Sequence, residues 1–287
     1  MTSPRASAFA ALCILAAPEA LAQANWNTPT QPYHVIDNIY YVGTEGIGAY
    51  LFTGPEGHVL LDGGTPEGAA IIRANIEALG FRLNDIRILL NSHAHFDHSG
   101  GLAELKAATG ARLYAMEGDV SALEGGFYLG SESVERLKAP PVSVDRILQD
   151  GDTVELPGIR LTAHLTPGHS RGCTSWGATA RHAQTPYNVL VFCSATVAAN
   201  RITQPLQYEG IVEDYRATFA KAKTMRVDVP LAPHSEFFGL IDKAKRAKTG
   251  TPGNVFIDPE AFQPFIRDLE TAFESTLRQR TEAAGGR

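Results

Sequence analysis

Apolar and polar positions along this chain follow two rhythms, one of strands and one of helices, and the same succession occurs twice. Between Val35 and Asp62 lie short β-rich runs: Tyr40-Tyr41-Val42, Ala49-Tyr50-Leu51-Phe52 and Val59-Leu60-Leu61-Asp62. A helix is predicted next, with Thr65 as N-cap, Pro66 in the first turn, Ile72, Ile76 and Leu79 on one face, and Gly80 as its stop. Ile86-Arg87-Ile88-Leu89-Leu90 is almost wholly apolar and β-branched, as a buried strand is. Leu102, Leu105 and Ala108 then recur at helical spacing, before a strand at Arg112-Leu113-Tyr114. In the second half, strands are predicted at 159–165, 174–180, 188–193 and 227–231, and helices at 212–225 and 259–282. Phe262, Phe265, Ile266, Leu269 and Phe273 line one side of the last helix. Strands alternating with helices in two similar halves predict an α/β fold, two sheets stacked face to face and covered by helices.

Composition narrows the setting. Residues 1–24 carry Arg5, an apolar run from Ala6 to Ala17, and Ala22-Gln23-Ala24. This is the order of a cleaved secretory signal, and it predicts a periplasmic protein with residues 25–287 as one domain. The apolar run is too short for a permanent span, and no later segment reads as transmembrane. The net charge is −6 and the basic residues are dispersed, which excludes nucleic acid as a partner and leaves a small molecule as the expected one, bound by a monomer. Secretion places Cys173 and Cys193 in an oxidising compartment. A hairpin centred near residue 184 would bring them together, so a disulfide is expected.

The chemistry is concentrated at Asn91-Ser92-His93-Ala94-His95-Phe96-Asp97-His98. Imidazole nitrogen and carboxylate oxygen are favoured zinc ligands. The cluster falls between the end of a strand and the start of a helix, where open α/β sheets place ligands. His93 and His95, two apart in an extended segment, can point the same way. Asp97 and His98 lie past the bend and can face a second point, so two neighbouring metals suit the four groups better than one. Of the other histidines, His169 in Thr166-Pro167-Gly168-His169-Ser170 and His234 in Leu231-Ala232-Pro233-His234-Ser235 also follow apolar runs. They are the expected further ligands. His34, His58, His164 and His182 lack that placement, and His164 is read as structural.

His93-Ala94-His95-Phe96-Asp97-His98, Pro167-Gly168-His169 and the late His234 together resemble the metallo-β-lactamase superfamily over nearly the whole of 25–287. The resemblance implies an αββα sandwich with its metal site along one edge between the sheets. It does not give the substrate, because the superfamily includes β-lactamases, glyoxalase II thioesterases and lactonases. The discriminating position follows the strand ending near Cys193-Ser194. Thioesterases and lactonases place a metal-bridging aspartate there, and β-lactamases of subclasses B1 and B2 a metal-binding cysteine. Subclass B3 has serine and compensates with a histidine directly after the first motif's aspartate, where this chain has His98. A one-residue slip would turn Cys193 instead of Ser194 to the site; Ser194 is expected, since His98 already fills the second metal's shell.

The resemblance to subclass B3 thus implies two Zn²⁺, one on His93, His95 and His169 and the other on Asp97, His98 and His234. It implies hydrolysis of a β-lactam amide by metal-activated hydroxide, with Ser194 and Thr196 as hydrogen-bond donors to the substrate carboxylate. Trp26 would border the active site, and Asp62 would support a ligand histidine.

Overall fold

The apolar runs form two stacked sheets in the computed structural model, which describes residues 25–285. The leader expected over residues 1–24 lies outside the described residues. The first sheet runs in chain order: β1 (Tyr33–Ile36), β2 (Ile39–Tyr41), β3 (Tyr50–Gly54), β4 (Gly57–Leu61), β5 (Ile86–Leu90), β6 (Arg112–Met116) and β7 (Arg146–Leu148). Its first four strands pair antiparallel, and β4 to β7 pair parallel. The second sheet contains β8 (Thr153–Leu156), β9 (Ile159–Leu165), β10 (Thr174–His182), β11 (Thr185–Val191) and β12 (Val229–Leu231), in the order β12-β11-β10-β9-β8. Only the β11–β12 pairing is parallel there.

Helices cover both outer faces, giving the expected αββα sandwich. On the first sheet pack α1 (Gly68–Ala78), α3 (Leu102–Thr109) and α4 (Glu117–Gly125), through a core that includes Ile72, Ile76, Leu102, Leu105 and Leu123. The short α2 (Phe96–Ser99) precedes α3. On the second pack α5 (Ile211–Thr224) and α7 (Phe262–Gly285), through Tyr215, Phe219, Phe262, Ile266 and Phe273. The amphipathic patterns of these helices turn their apolar stripes onto the sheets, the burial that stabilises short helices in water.

Several elements differ from the sequence expectation. α1 begins at Gly68, not at Pro66, and its N-cap is Glu67 in place of the expected Thr65, whose hydroxyl accepts the Gly68 N–H at 3.0 Å from the turn before the helix. β7, β8, α4 and α6 (Leu240–Lys248) were not anticipated. β7 has three residues, too few to show a period, and leaves Ile147 53% exposed, while α6 carries a short apolar stripe, with Leu240 and Ala244 buried one turn apart, set among lysines and an arginine. β11 starts at Thr185 because Ala183 and Gln184 both adopt positive φ (47° and 70°). Such a two-residue turn matches the twist of paired strands. The hairpin aligns Trp176 with Val191 and brings Cys173 and Cys193 into the expected disulfide, with Cα atoms 5.9 Å apart. Among the described residues no helix is long and apolar enough to cross a membrane.

Candidate metal centre

The carboxyl ends of β4, β5, β9, β11 and β12 meet along one edge of the sandwich, and the segment that follows each carries a singled-out residue: Asp62, His93, His169, Ser194 and His234. The cluster after β5 is tied to both sheets. The Ser92 N–H donates to Asp62 Oδ1 at 2.6 Å, and the Thr174 N–H donates to the Ser92 carbonyl at 2.7 Å. The Trp176 indole N–H donates to the Asn91 carbonyl at 3.1 Å. His95 is the extended residue before α2, and the first turn of α2 carries Asp97 and His98 round to a second direction.

Two groups result. Ligand atoms of His93, His95 and His169 all lie within 4.8 Å of one another, as do those of Asp97, His98 and His234. In the first, His93 Nε2 and His169 Nε2 are 3.2 Å apart. In the second, His98 Nε2 lies 3.1 Å from His234 Nε2 and 3.2 Å from Asp97 Oδ2, and His234 Nε2 is 3.5 Å from the same oxygen. The groups adjoin, since the His93 and His98 rings have centroids 4.3 Å apart.

Hydrogen bonding and burial tune these side chains. His169 Nδ1 lies 2.7 Å from the Thr196 carbonyl, which can only accept, so Nδ1 carries the proton and Nε2 turns a lone pair into the first group. Burial pushes His93 and His95 well below the usual imidazole range, and neighbouring imidazoles push further. It takes His169 down to about 4 and His234 to about 3. His98 is the exception. Burial lowers it, but Asp97, Asp62 and Glu236 outweigh that and raise it. Burial acts upward on Asp97, and His98 and His234 hold it below the usual carboxylate range. Asp62 is pushed up to about 6 by burial, against the opposing pull of His98 and Ser92.

The residues fit divalent metal ions. Buried imidazole nitrogens converging at 3.1–3.2 Å, four of the five rings held neutral and the fifth, His98, set against the Asp97 carboxylate, are what a cation would reconcile. The donor sets, three nitrogens in one group and two nitrogens with a carboxylate in the other, suit zinc. Second contacts are partly in place: Asp62 Oδ2 stands 4.0 Å from His98 Nδ1, and neither atom has a hydrogen-bond partner.

Ser194 is 1% exposed, and its hydroxyl lies 3.3 Å from that of Thr196, which is more accessible. Cys193 Sγ sits 3.7 Å from His93 Nδ1 but is bonded to Cys173. Trp26 forms a rim with Phe96 and His234, at centroid distances of 6.0 and 5.7 Å. Its place is fixed by the Thr44 hydroxyl, which donates to the Trp26 carbonyl at 2.6 Å. His164 lies on β9 away from both groups, lining a concavity of about 910 Å³ on the outer face of the second sheet that none of the grouped residues touches.

Other side chains at the site carried no sequence signal. The Tyr128 ring stacks on His95 with centroids 4.1 Å apart. Its hydroxyl donates to Asn200 Oδ1 at 2.8 Å, and Asn200 Nδ2 donates to the His169 carbonyl at 2.8 Å. Each stands alone in a loop or after a helix, without a period or motif to mark it.

The fold and the paired donor groups are those of a metal-dependent hydrolase sandwich. A model of the metallo-beta-lactamase superfamily matches residues 42–180. The solved structure of BJP-1, a subclass B3 metallo-beta-lactamase of Bradyrhizobium japonicum, is 48% identical, with a TM-score of 0.89 over 92% of this chain and 99% of that one. FEZ-1 metallo-beta-lactamase from Legionella gormanii is 34% identical, with a TM-score of 0.84 over 88% of this chain and 98% of that one. The chain belongs to the metallo-beta-lactamase superfamily, and its resemblance within it is to subclass B3 structures. Among curated relatives, hydroxyacylglutathione hydrolase of Rhodospirillum rubrum is 33% identical over 107 residues, which is 37% of this chain and 34% of that protein. The match therefore spans about a third of that relative's length.

Proposed function

We propose that the protein is a periplasmic β-lactamase of the subclass B3 kind, binding two zinc ions and opening the β-lactam ring of penicillins, cephalosporins and carbapenems. The observation that carries this reading is the second donor group. His98 stands with Asp97 and His234, within 3.1 Å of His234 Nε2, and the segment after β11 offers Ser194 and a disulfide-bonded Cys193 in place of a further ligand. His93, His95 and His169 would hold one ion, and Asp97, His98 and His234 the other. When bound, the two ions supply Lewis acidity toward the amide carbonyl and make hydroxide available near neutral pH.

The chain's own residues orient and exclude. The Thr196 carbonyl holds the Nδ1 proton of His169 so that Nε2 stays a donor. Asp97 presents a carboxylate that stays ionised across the working range and can orient a water between the groups. The hydroxyl of Thr196, 3.3 Å from that of Ser194, would donate to the carboxylate of a β-lactam. Trp26 and Phe237, whose ring lies 5.3 Å from His234, supply an apolar rim for the substrate's side chain.

Purified protein should hydrolyse nitrocefin and a carbapenem, and a chelator should abolish both activities. His95→Ala should lose most of the turnover, and a variant near wild type would refute the ligand assignment. The second reading, a thioesterase, draws on the similarity to hydroxyacylglutathione hydrolase. Against it, the aspartates between His169 and His234 are Asp214 in α5 and Asp228 beside β12, and neither belongs to the donor groups. Hydrolysis of lactoylglutathione faster than of any β-lactam would establish the second reading.

A further inference from the structure

Beneath the donor groups lies a carboxylate that the ligand set does not use. Asp119 sits in the first turn of α4, is 3% exposed, and receives three hydrogen bonds. The Ala94 N–H donates to Oδ2 at 2.9 Å, the Ser170 hydroxyl to the same oxygen at 2.7 Å, and the Gly172 N–H to Oδ1 at 2.7 Å. Ala94 is the residue between His93 and His95, and Ser170 directly follows His169. One side chain therefore fastens both segments that bear the first donor group, although they lie far apart in sequence and come from different sheets. Space is reserved for this contact. A Cβ on Gly172 would stand 2.4 Å from the Asp119 backbone nitrogen and 2.7 Å from its carboxyl carbon, and one on Gly118 would stand 2.6 Å from the Arg171 carbonyl.

The charge has a second consequence. The three groups that bond Asp119 are neutral, and burial holds its carboxyl above the usual range with those hydrogen bonds as the counterweight. The first donor group is three neutral imidazoles with no anionic member, whereas the second contains Asp97. A buried carboxylate without a cationic partner is costly unless a cation completes it.

We infer that Asp119 is the positioning residue for the His93, His95 and His169 metal site, locking its two segments together and supplying the negative charge that its ligands lack. The inference rests on the metal-site reading above. Asparagine cannot replace it. In either orientation of the amide, its NH₂ faces a backbone N–H, of Ala94 or of Gly172, and the charge is gone.

The test is zinc binding by the metal-stripped full chain, in competition with a chromophoric chelator. His95→Ala identifies which of the two binding steps belongs to the first group. Asp119→Asn should weaken that step by about 10–100-fold, the range for residues that hold ligands in place, and leave the other step within about threefold. Ser170→Ala, which removes one bond and keeps the charge, should weaken the same step by about 3–10-fold. Cobalt loading should show an altered visible spectrum for the first ion alone. Unchanged affinity in Asp119→Asn, or equal weakening of both steps, overturns the inference. If that variant does not fold, Ser170→Ala decides, and an unchanged first step overturns it. A wild-type chain that takes up no zinc overturns the metal reading itself, and the inference with it.

Discussion

Replacing both Cys173 and Cys193 by alanine separates two contributions of the disulfide. The bridge closes a separation of 20 residues. In the chain-entropy account, a loop of that length contributes about 3 kcal/mol by restricting the unfolded chain. At about 2–4 °C per kcal/mol for a protein of this size, the double variant should melt about 6–12 °C lower. Two features bear on where in that range it falls. β10 and β11 already pair from Trp176–Val191 to His182–Thr185, so any hairpin persisting in the unfolded ensemble reduces the entropic gain. Both cysteines are fully buried, so truncation also opens a cavity and adds to the loss. The second contribution is local. Cys193 Sγ lies 3.2 Å from the Ser92 carbonyl and 3.7 Å from His93 Nδ1, so the sulfur helps seat the first histidine of the cluster. The assay is thermal unfolding by circular dichroism of wild type, wild type with a dithiol reductant, and the double variant, each with and without zinc. The zinc-dependent gain in Tm should be smaller for the double variant. A double variant melting within about 2 °C of wild type, or free thiols in the unreduced denatured protein, would refute the reasoning.

Two further outcomes are expected. Metal-free protein should lose stability on acidification between about pH 6.5 and 3, because His93, His95, His169 (about 4) and His234 (about 3) bind protons less readily folded than unfolded. Their contribution is present above the unfolded imidazole value and disappears as pH falls through the folded ones. His98, raised, works the other way and favours the fold below 6.5, as does Asp62, whose value near 6 removes stability as pH rises from 3.8. With four depressed histidines set against the raised His98, Asp62 and Asp119, a net loss on acidification is expected, and denaturant midpoints that rise on acidification across that window would contradict the assignment. Gly168→Ala should destabilise by about 1–3 kcal/mol, because φ is +121° and the added Cβ would stand 2.7 Å from the Tyr215 ring. The strain falls on the residue before His169, so zinc affinity should drop as well, and a variant with wild-type Tm and zinc affinity would show that this loop is not held as described.

What the sequence revealed and what it concealed follow one physical division. Buried strands and the grouped histidines declare themselves through local pattern: Ile86–Leu90 by its apolar run, His93 to His98 by the density of possible donors, and His169 and His234 by their place just past a strand. Those features belong to one short segment each. The supporting groups act by joining segments, and no local pattern encodes that. Asp119 bonds residues 94, 170 and 172; Asn200 joins Tyr128 to the His169 carbonyl; and the Thr196 backbone, whatever its side chain, fixes the proton of His169. Short elements such as β7 and α6 escaped for a different reason: three residues are too few to show a strand period, and the one-turn apolar stripe of α6 is set among charged residues. The same division bears on substrate. On the function proposed above, five of the six donors are shared across the superfamily, and discrimination falls to the sixth, His98 beside Asp97, and to the residues around the donors: the disulfide that occupies Cys193, the Thr196 hydroxyl and the Trp26 rim. A change of substrate class on this scaffold should therefore require substitutions at His98, in the loop after β11 and at the rim, with the other five donors left intact.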